Sequence, residues 1–273
     1  MTMKTEPNRN PPQIALQSTG PKSHGWLLGL LAFAIILITW EVLARYSGWS
    51  VQIFPDPITV ALSMVEMCLN GTLLRHTVAS LFRVTVGFYL AVLIGVPVGI
   101  LLGRSWSVRA FFNPVFHFLR PISPLAWIPL AMLWFGIGDP PALFLIFLAS
   151  FFPMVVSTTI AVQNINPTFF QVAANFRFSR KETLIRLILP AIIPDVVNAL
   201  RLTVTIAWLV VVAAEMIAVQ SGLGYLILDA RNALRMDYVM NSMMVIGLIG
   251  LLLDYVMKRL LKIESALWGV KSR

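Results

Sequence analysis

Long apolar stretches alternate along this chain with short segments that hold most of its charge. A helix needs roughly 20 mainly apolar residues to cross hydrocarbon, and the stretches 26–44, 78–102, 112–134, 141–162, 196–219 and 239–260 meet that requirement. The pattern predicts an all-α, polytopic membrane protein with six transmembrane helices, because in lipid every backbone group must be satisfied within its own helix. The third stretch carries Pro121, Pro124 and Pro129. Each proline removes a backbone donor, so a bent helix enclosed by its neighbours is expected there.

The second stretch holds Gly87, Ala91, Gly95, Gly99 and Gly103, each four residues from the last. That spacing puts small residues on one helical face, where another backbone can approach closely. Two linking segments carry structure signals of their own. In 45–77, Phe54-Pro-Asp-Pro57 precedes an apolar run, which predicts a short interfacial helix over 58–67. In 220–238, Gln220-Ser-Gly-Leu-Gly224 permits a turn that sets the weakly amphipathic run after it against one membrane face.

Composition agrees with the pattern. Of 273 residues, 58% are hydrophobic and 12% charged, half the charge of an ordinary soluble domain. The formal net charge of +9 would suit nucleic acid, but the basic residues gather beside apolar spans, which is a mark of membrane topology. Lys4, Arg9, Lys22, Arg104, Arg109, Arg177, Arg180, Lys181, Arg186, Lys258, Arg259, Lys262, Lys271 and Arg273 fall on one set of span ends, against Arg45, Arg75, Arg231 and Arg235 on the other. Both termini are therefore expected in the cytoplasm, an arrangement that an even number of spans permits. Residues 1–24 read as a disordered tail and not a signal peptide, residues 25–260 as the membrane domain, and 261–273 as a C-terminal tail. Cys68 is the single cysteine, and His24, His76 and His117 lie too far apart to form a ligand cluster. No phosphate-binding loop or dinucleotide fingerprint occurs, so any ATP-driven work falls to another chain.

The inward segment 164–194 is amphipathic and basic. Ile165-Asn-Pro-Thr168 offers a break and an N-cap, Phe169, Val172, Ala173 and Phe176 recur at helical spacing, and a second half follows with Leu184, Leu187 and Ile188 apolar. Pro190 and Pro194 are expected to end it. A bend over 176–179 would show Phe176, Arg177 and Phe178 at its tip, residue types that anchor protein interfaces. A helix lying flat on anionic lipid fits the same pattern.

The segment resembles the cytoplasmic loop signature of importer permeases of the ATP-binding-cassette class: Glu-Ala-Ala, three residues, Gly, about nine residues, then an apolar residue before Leu-Pro. The matching positions are Gln171-Val172-Ala173, Arg177 and Leu189-Pro190. Pro55-Asp-Pro57, Pro121-Ile-Ser-Pro124, Trp134-Phe-Gly-Ile-Gly138, Ala213-Ala-Glu-Met216 and Ser221-Gly-Leu-Gly224 extend the likeness across nearly the whole chain, toward the branch that imports nitrate, sulfonates, taurine or bicarbonate. Gln171 departs from the expected Glu. Arg177 departs from Gly, and its Cβ makes the positive φ of that position harder to adopt.

The resemblance implies the permease fold of type I importers, with a coupling helix that enters a groove on the ATPase and involves Gln171, Val172, Ala173, Phe176, Arg177, Phe178, Ser179 and Pro190. It further implies a homodimeric permease in the bacterial inner membrane, two ATP-binding subunits that hold ATP and Mg2+, an external solute-binding protein, no cofactor on this chain, and no catalysis by it. An anion path needs polar lining. Ser123, Trp127, Ser150, Ser157, Thr158, Thr203, Thr205 and Trp208 are its candidates, each with the alternative of bonding its own helix. Glu215 is an intramembrane acid, expected to be protonated or to form a gate-locking pair with Arg231 or another donor. Arg201 and Asp254 raise the same question, while Arg83 and Arg120 either supply positive potential or snorkel to the interface. Two other readings stay open: an ion-coupled secondary transporter, which would use Glu215 and Asp254, and a membrane scaffold with no path.

Overall fold

The computed structural model describes residues 25–46 and 48–267, and it separates into two units, 1–48 and 49–273. The expected N-terminal tail lies outside the described residues. In the first unit, helix α1 (Gly25–Tyr46) is apolar around its whole circumference, with Leu28, Phe33, Ile36 and Ile38 all exposed. A helix hydrophobic on every side suits lipid.

In the second unit, α2 (Pro57–Leu69) starts with Pro57 in its first turn, where the missing N–H costs nothing. This is the short helix expected after the Pro-Asp-Pro signal. The long helices α3 (Thr72–Arg104), α6 (Asp139–Gln163) and α8 (Arg180–Ala218) then form the centre of the bundle. The small-residue stripe of α3 is the seam against α6. A Cβ built on Gly87 would fall 2.8 Å from the Ile146 side chain, on Gly95 3.3 Å from Met154, on Gly99 2.6 Å from Thr158 and on Gly103 2.6 Å from Val162. The offset between partners is the same at every pair, so α3 and α6 run parallel in register.

Parallel neighbours require the chain between them to return the whole distance. From the Gly103–Val162 contact to the Arg83–Asp139 ion pair is about 30 Å of helix at 1.5 Å per residue, the thickness of a bilayer core. The return is made by α4 (Trp106–Leu119), a 3-10 turn (Pro124–Trp127) and α5 (Ile128–Phe135), with 85° between the two halves. The third expected span is thus two helices and not one bent helix. The break falls where Pro121 and Pro124 withdraw two donors within four residues.

A second correction concerns 180–194. Pro190 and Pro194 do not end this segment, because α8 continues through both. The turns just before them, Thr183–Ile188, are π-helical, and the wider winding gives the Pro190 ring room that a regular α-turn denies it. After α8 come α9 (Leu223–Asn232) and α10 (Met236–Leu267). Helix α8 runs antiparallel to α3 and α6: Ile188 and Ile192 pack with Ala161 and Val162 at one end, while Glu215 meets Arg83 at the other. Between them, Val84, Phe88, Ile146, Val204, Ala207, Trp208 and Val211 form the shared core.

Candidate functional site

The two ends of this three-helix centre carry different chemistry. At the end where α6 begins, His76, Ser80 and Arg83 share one face of α3. Arg83 is 2% exposed, and its guanidinium donates to Glu215 Oε1 at 2.7 Å, to the Ser221 carbonyl at 2.8 Å and to Asp139 Oδ1 at 2.8 Å. Its remaining nitrogen reaches the Ser221 hydroxyl. Glu215 is fully buried, and its second oxygen accepts from the Ser80 hydroxyl at 2.8 Å and the Gly224 N–H at 3.0 Å. Ser80 Oγ in turn accepts the Leu223 N–H at 2.8 Å, and the Gly222 N–H donates to His76 Nδ1 at 3.0 Å.

This network straps the 220–224 turn onto α3 and α8. Glycine is required in it, since a Cβ on Gly222, whose φ is +103°, would fall 2.3 Å from the Glu215 carboxyl carbon, and one on Gly224 would fall 2.2 Å from the Val212 carbonyl. The partner of Glu215 is therefore Arg83 and not Arg231, and Arg83 does not snorkel. Arg83 was visible as a lone charge in an apolar stretch. Asp139, Ser80 and Ser221 had no sequence signal that linked them. Arg201 pairs with Asp254 at 2.9 Å, joining α8 to α10.

At the opposite end, α7 (Pro167–Asn175) is capped by the Asn166 side chain, which accepts the Thr168 N–H at 2.9 Å. It closes in a Schellman turn: the Phe178 N–H bonds the Ala173 carbonyl and the Arg177 N–H the Ala174 carbonyl, both at 2.9 Å. Arg177 occupies the left-handed position with φ +54°. The geometry expected of glycine is thus adopted in full by an arginine, and two hydrogen bonds offset a Cβ cost of about 1 to 2 kcal/mol. Ser179 and Glu182 then form a reciprocal capping box that starts α8.

Of the residues in this turn, Ala173 is buried, Phe178 half-buried, and Gln171, Val172, Phe176, Arg177 and Ser179 exposed. Phe176 keeps 74% of its surface free. The Arg186 guanidinium lies over the Phe178 ring at 5.9 Å, and Arg104 over Phe170 at 4.9 Å. Pro190 lies beyond, within α8, half-buried.

The other candidates scatter. Thr158 lies in the α3 seam at Gly99, and Ser150 is fully buried on α6; neither hydroxyl has a partner among the described residues. Thr203 bonds the Ala199 carbonyl at 2.7 Å and Thr205 the Arg201 carbonyl at 3.2 Å. Trp208 donates to the Ile246 carbonyl at 3.1 Å, between α8 and α10. Ser123 and Thr205 are exposed, while Trp127 and Ser157 are half-buried.

Comparison with known proteins places this arrangement. A putative aliphatic sulfonates transport permease protein of Bacillus subtilis is 34% identical over 249 residues, 91% of this chain and 90% of the relative. A nitrate import permease protein of Synechocystis is 33% identical over 82% of this chain and 84% of the relative. The fold matches that of a chain of the MetNI methionine ABC transporter in inward-facing conformations, at a TM-score of 0.60 and 16% identity, over 67% of this chain and 91% of that one. Residues 95–265 match the family model described as binding-protein-dependent transport system inner membrane component. The chain belongs to that family of ABC transporter permeases.

Proposed function

We propose that this chain is the permease subunit of an ATP-driven importer that carries a small oxyanion, such as a sulfonate, taurine, nitrate or bicarbonate, inward by alternating access. Two copies surround a central path, two ATP-binding subunits attach from the cytoplasm, and an external binding protein delivers the solute. The chain itself performs no covalent chemistry.

The end that bears the Schellman turn faces the cytoplasm in this reading. Arg104, Arg109, Arg177, Arg180, Lys181 and Arg186 all gather there, as the positive-inside rule requires. The termini lie on the same side.

The observation that carries the reading is the Phe176-Arg177-Phe178 tip: aromatic and cationic, with Phe176 and Arg177 exposed, and fixed by hydrogen bonds to the last turn of α7. A mobile loop would dissipate a push, whereas this turn is continuous with α8 through the capping box and the π-helical stretch. Motion imposed on it by an ATPase moves the helix that holds Glu215. Ser123, Trp127, Ser157 and Thr205 remain the path-lining candidates. Ser150, Thr158, Thr203, Trp208 and Glu215, buried between helices, act on the path through packing. A secondary transporter would need free carboxylates within its spans, yet Glu215 and Asp254 are each bound to an arginine.

The test is uptake by the complete complex in proteoliposomes, with ATP inside and a panel of sulfonates, taurine, nitrate and bicarbonate outside. At least one anion should accumulate only with ATP, and replacing Phe176, Arg177 and Phe178 by alanine should lower that uptake tenfold or more while the permease stays folded. ATP-independent accumulation driven by an ion gradient would refute the importer, and full uptake by the triple variant would refute the docking turn.

A further inference from the structure

Helix α4 and its C-cap present Arg109, Asn113, His117 and Arg120 along one face, at helical spacings of four, four and three. They line a cavity of about 340 Å3 whose opposite wall includes Thr159 and Gln163 of α6, with no carboxylate in the lining. A second cavity of about 190 Å3 adjoins it, and Arg120 is the residue common to both. Every other side chain of this second chamber is apolar; Trp127, Phe152, Pro153 and Ile206 are among them.

Depth makes this arrangement unusual. The chamber wall at Ala149, Phe152 and Pro153 is the middle of α6, which spans Asp139–Gln163, while the larger cavity continues past Val155 and Thr159 to Gln163 at the end of that helix, so Arg120, exposed where the two cavities join, borders the mid-span. Arg83, Arg201 and Arg235 each meet a carboxylate. The Arg120 guanidinium forms no ion pair or side-chain hydrogen bond among the described residues. A cation at that depth is costly against lipid, and it is relieved by a water-filled cavity and by an anion within it. Its planar fork suits two oxygens of one oxyanion.

We infer that Arg120 is the mid-membrane station of the transported solute, and that this solute is an oxyanion bearing a short alkyl tail. The head group is held by the Arg120 fork with the His117 and Asn113 side chains nearby, and the tail occupies the apolar chamber of Trp127, Phe152 and Ile206. Arg109, at the end of the larger cavity, has its own Nη1 directed to the Leu102 and Gly103 carbonyls at 3.4 and 3.5 Å, so it supplies potential where Arg120 supplies contact. The inference rests on the importer reading and names the chemistry of its path.

The experiment is ATP-driven uptake of methanesulfonate, butanesulfonate and nitrate by the complete complex in proteoliposomes, made once with zwitterionic lipid alone and once with added anionic lipid. Arg120→Gln should lower sulfonate uptake at least tenfold in both membranes, with Arg120→Lys partly restoring it. Ile206→Trp, which fills the chamber, should reduce butanesulfonate uptake severalfold more than methanesulfonate uptake. An Arg120 dependence confined to membranes with anionic lipid would identify a lipid headgroup site and overturn the assignment, as would unchanged uptake by a folded Arg120→Gln complex. Nitrate carried as well as butanesulfonate by every variant would overturn the tail chamber. If the parent complex moves none of the anions with ATP, the importer reading falls along with the station.

Discussion

The two ends of the α3–α6–α8 centre treat their polar groups in opposite ways. At the Arg83 end, a guanidinium, two carboxylates, two serine hydroxyls and three backbone N–H groups close on one another around the buried Arg83, Glu215 and Ser80, with Asp139 at the exposed rim. At the Arg177 end, local caps bond the backbone at both ends of the turn, yet Phe176 and Arg177 at its tip are left exposed. The first end spends its polar groups on holding three segments of the chain together. The second uses backbone bonds and a few short-range caps, and keeps the Phe176 and Arg177 side chains free. A force-transmitting device needs both, a joint that does not slip and a surface that can be gripped.

The sharpest way to break this contrast is Arg83→Ala. It strands Glu215, which is fully buried, without a cation and frees the 220–224 turn from its central donor. Losing one partner of a buried pair costs about 3 to 5 kcal/mol, so the unfolding midpoint of the purified permease in detergent should fall steeply. Asp139→Asn is the internal control: its carboxylate is 51% exposed, and an exposed pair contributes at most about 1 kcal/mol. Equal midpoints for the two variants would mean that the network carries no load. Gly222→Ala comes next. Its new methyl group meets the Glu215 carboxylate at a φ that only glycine adopts freely, a combined cost of about 2 to 3 kcal/mol. The same midpoint measurement reads it, and a neutral result would show that the strap can lift away from Glu215.

Much of this was legible in the sequence because it depends on local pattern. The apolar stretches located the membrane helices, and four-residue spacing located the α3 seam, since both follow from helix periodicity alone. The return through α4 and α5 was legible only as a disturbance: prolines announce that a helix will fail, but the 85° angle is decided by what packs around the break. Pro190 and Pro194 misled for a related reason. A proline breaks a regular α-helix, and nothing in Thr183–Ile188 announces the π-helical winding that makes room for it. Glu215 drew attention as an acid among apolar residues, yet Arg83 lies 132 positions away in sequence, and only the antiparallel packing of α8 against α3 brings the partners to one end.

Arg177 gives the smallest effect and refines the comparison most. It stands at φ +54° where glycine is favoured, and Leu234 stands at φ +55° in a second Schellman turn, closed by the Arg235 N–H to the Ala230 carbonyl at 2.9 Å. Two turns of one geometry thus carry different side chains. Arg177→Gly and Leu234→Gly should each relieve left-handed strain and, after the added freedom of the unfolded glycine, stabilise by about 1 kcal/mol or less. Slower amide hydrogen exchange at positions 177–178 and 234–235 would register it. The two variants should then part in transport. If the turn acts by shape alone, Arg177→Gly keeps full uptake, as Leu234→Gly does. If the guanidinium is itself gripped by the ATPase, uptake falls for Arg177→Gly only, even though its turn has become more stable. A loss of stability in either variant would instead mean that the arginine or leucine side chain holds its turn together, and that the cap geometry is a consequence of packing and not of the backbone bonds.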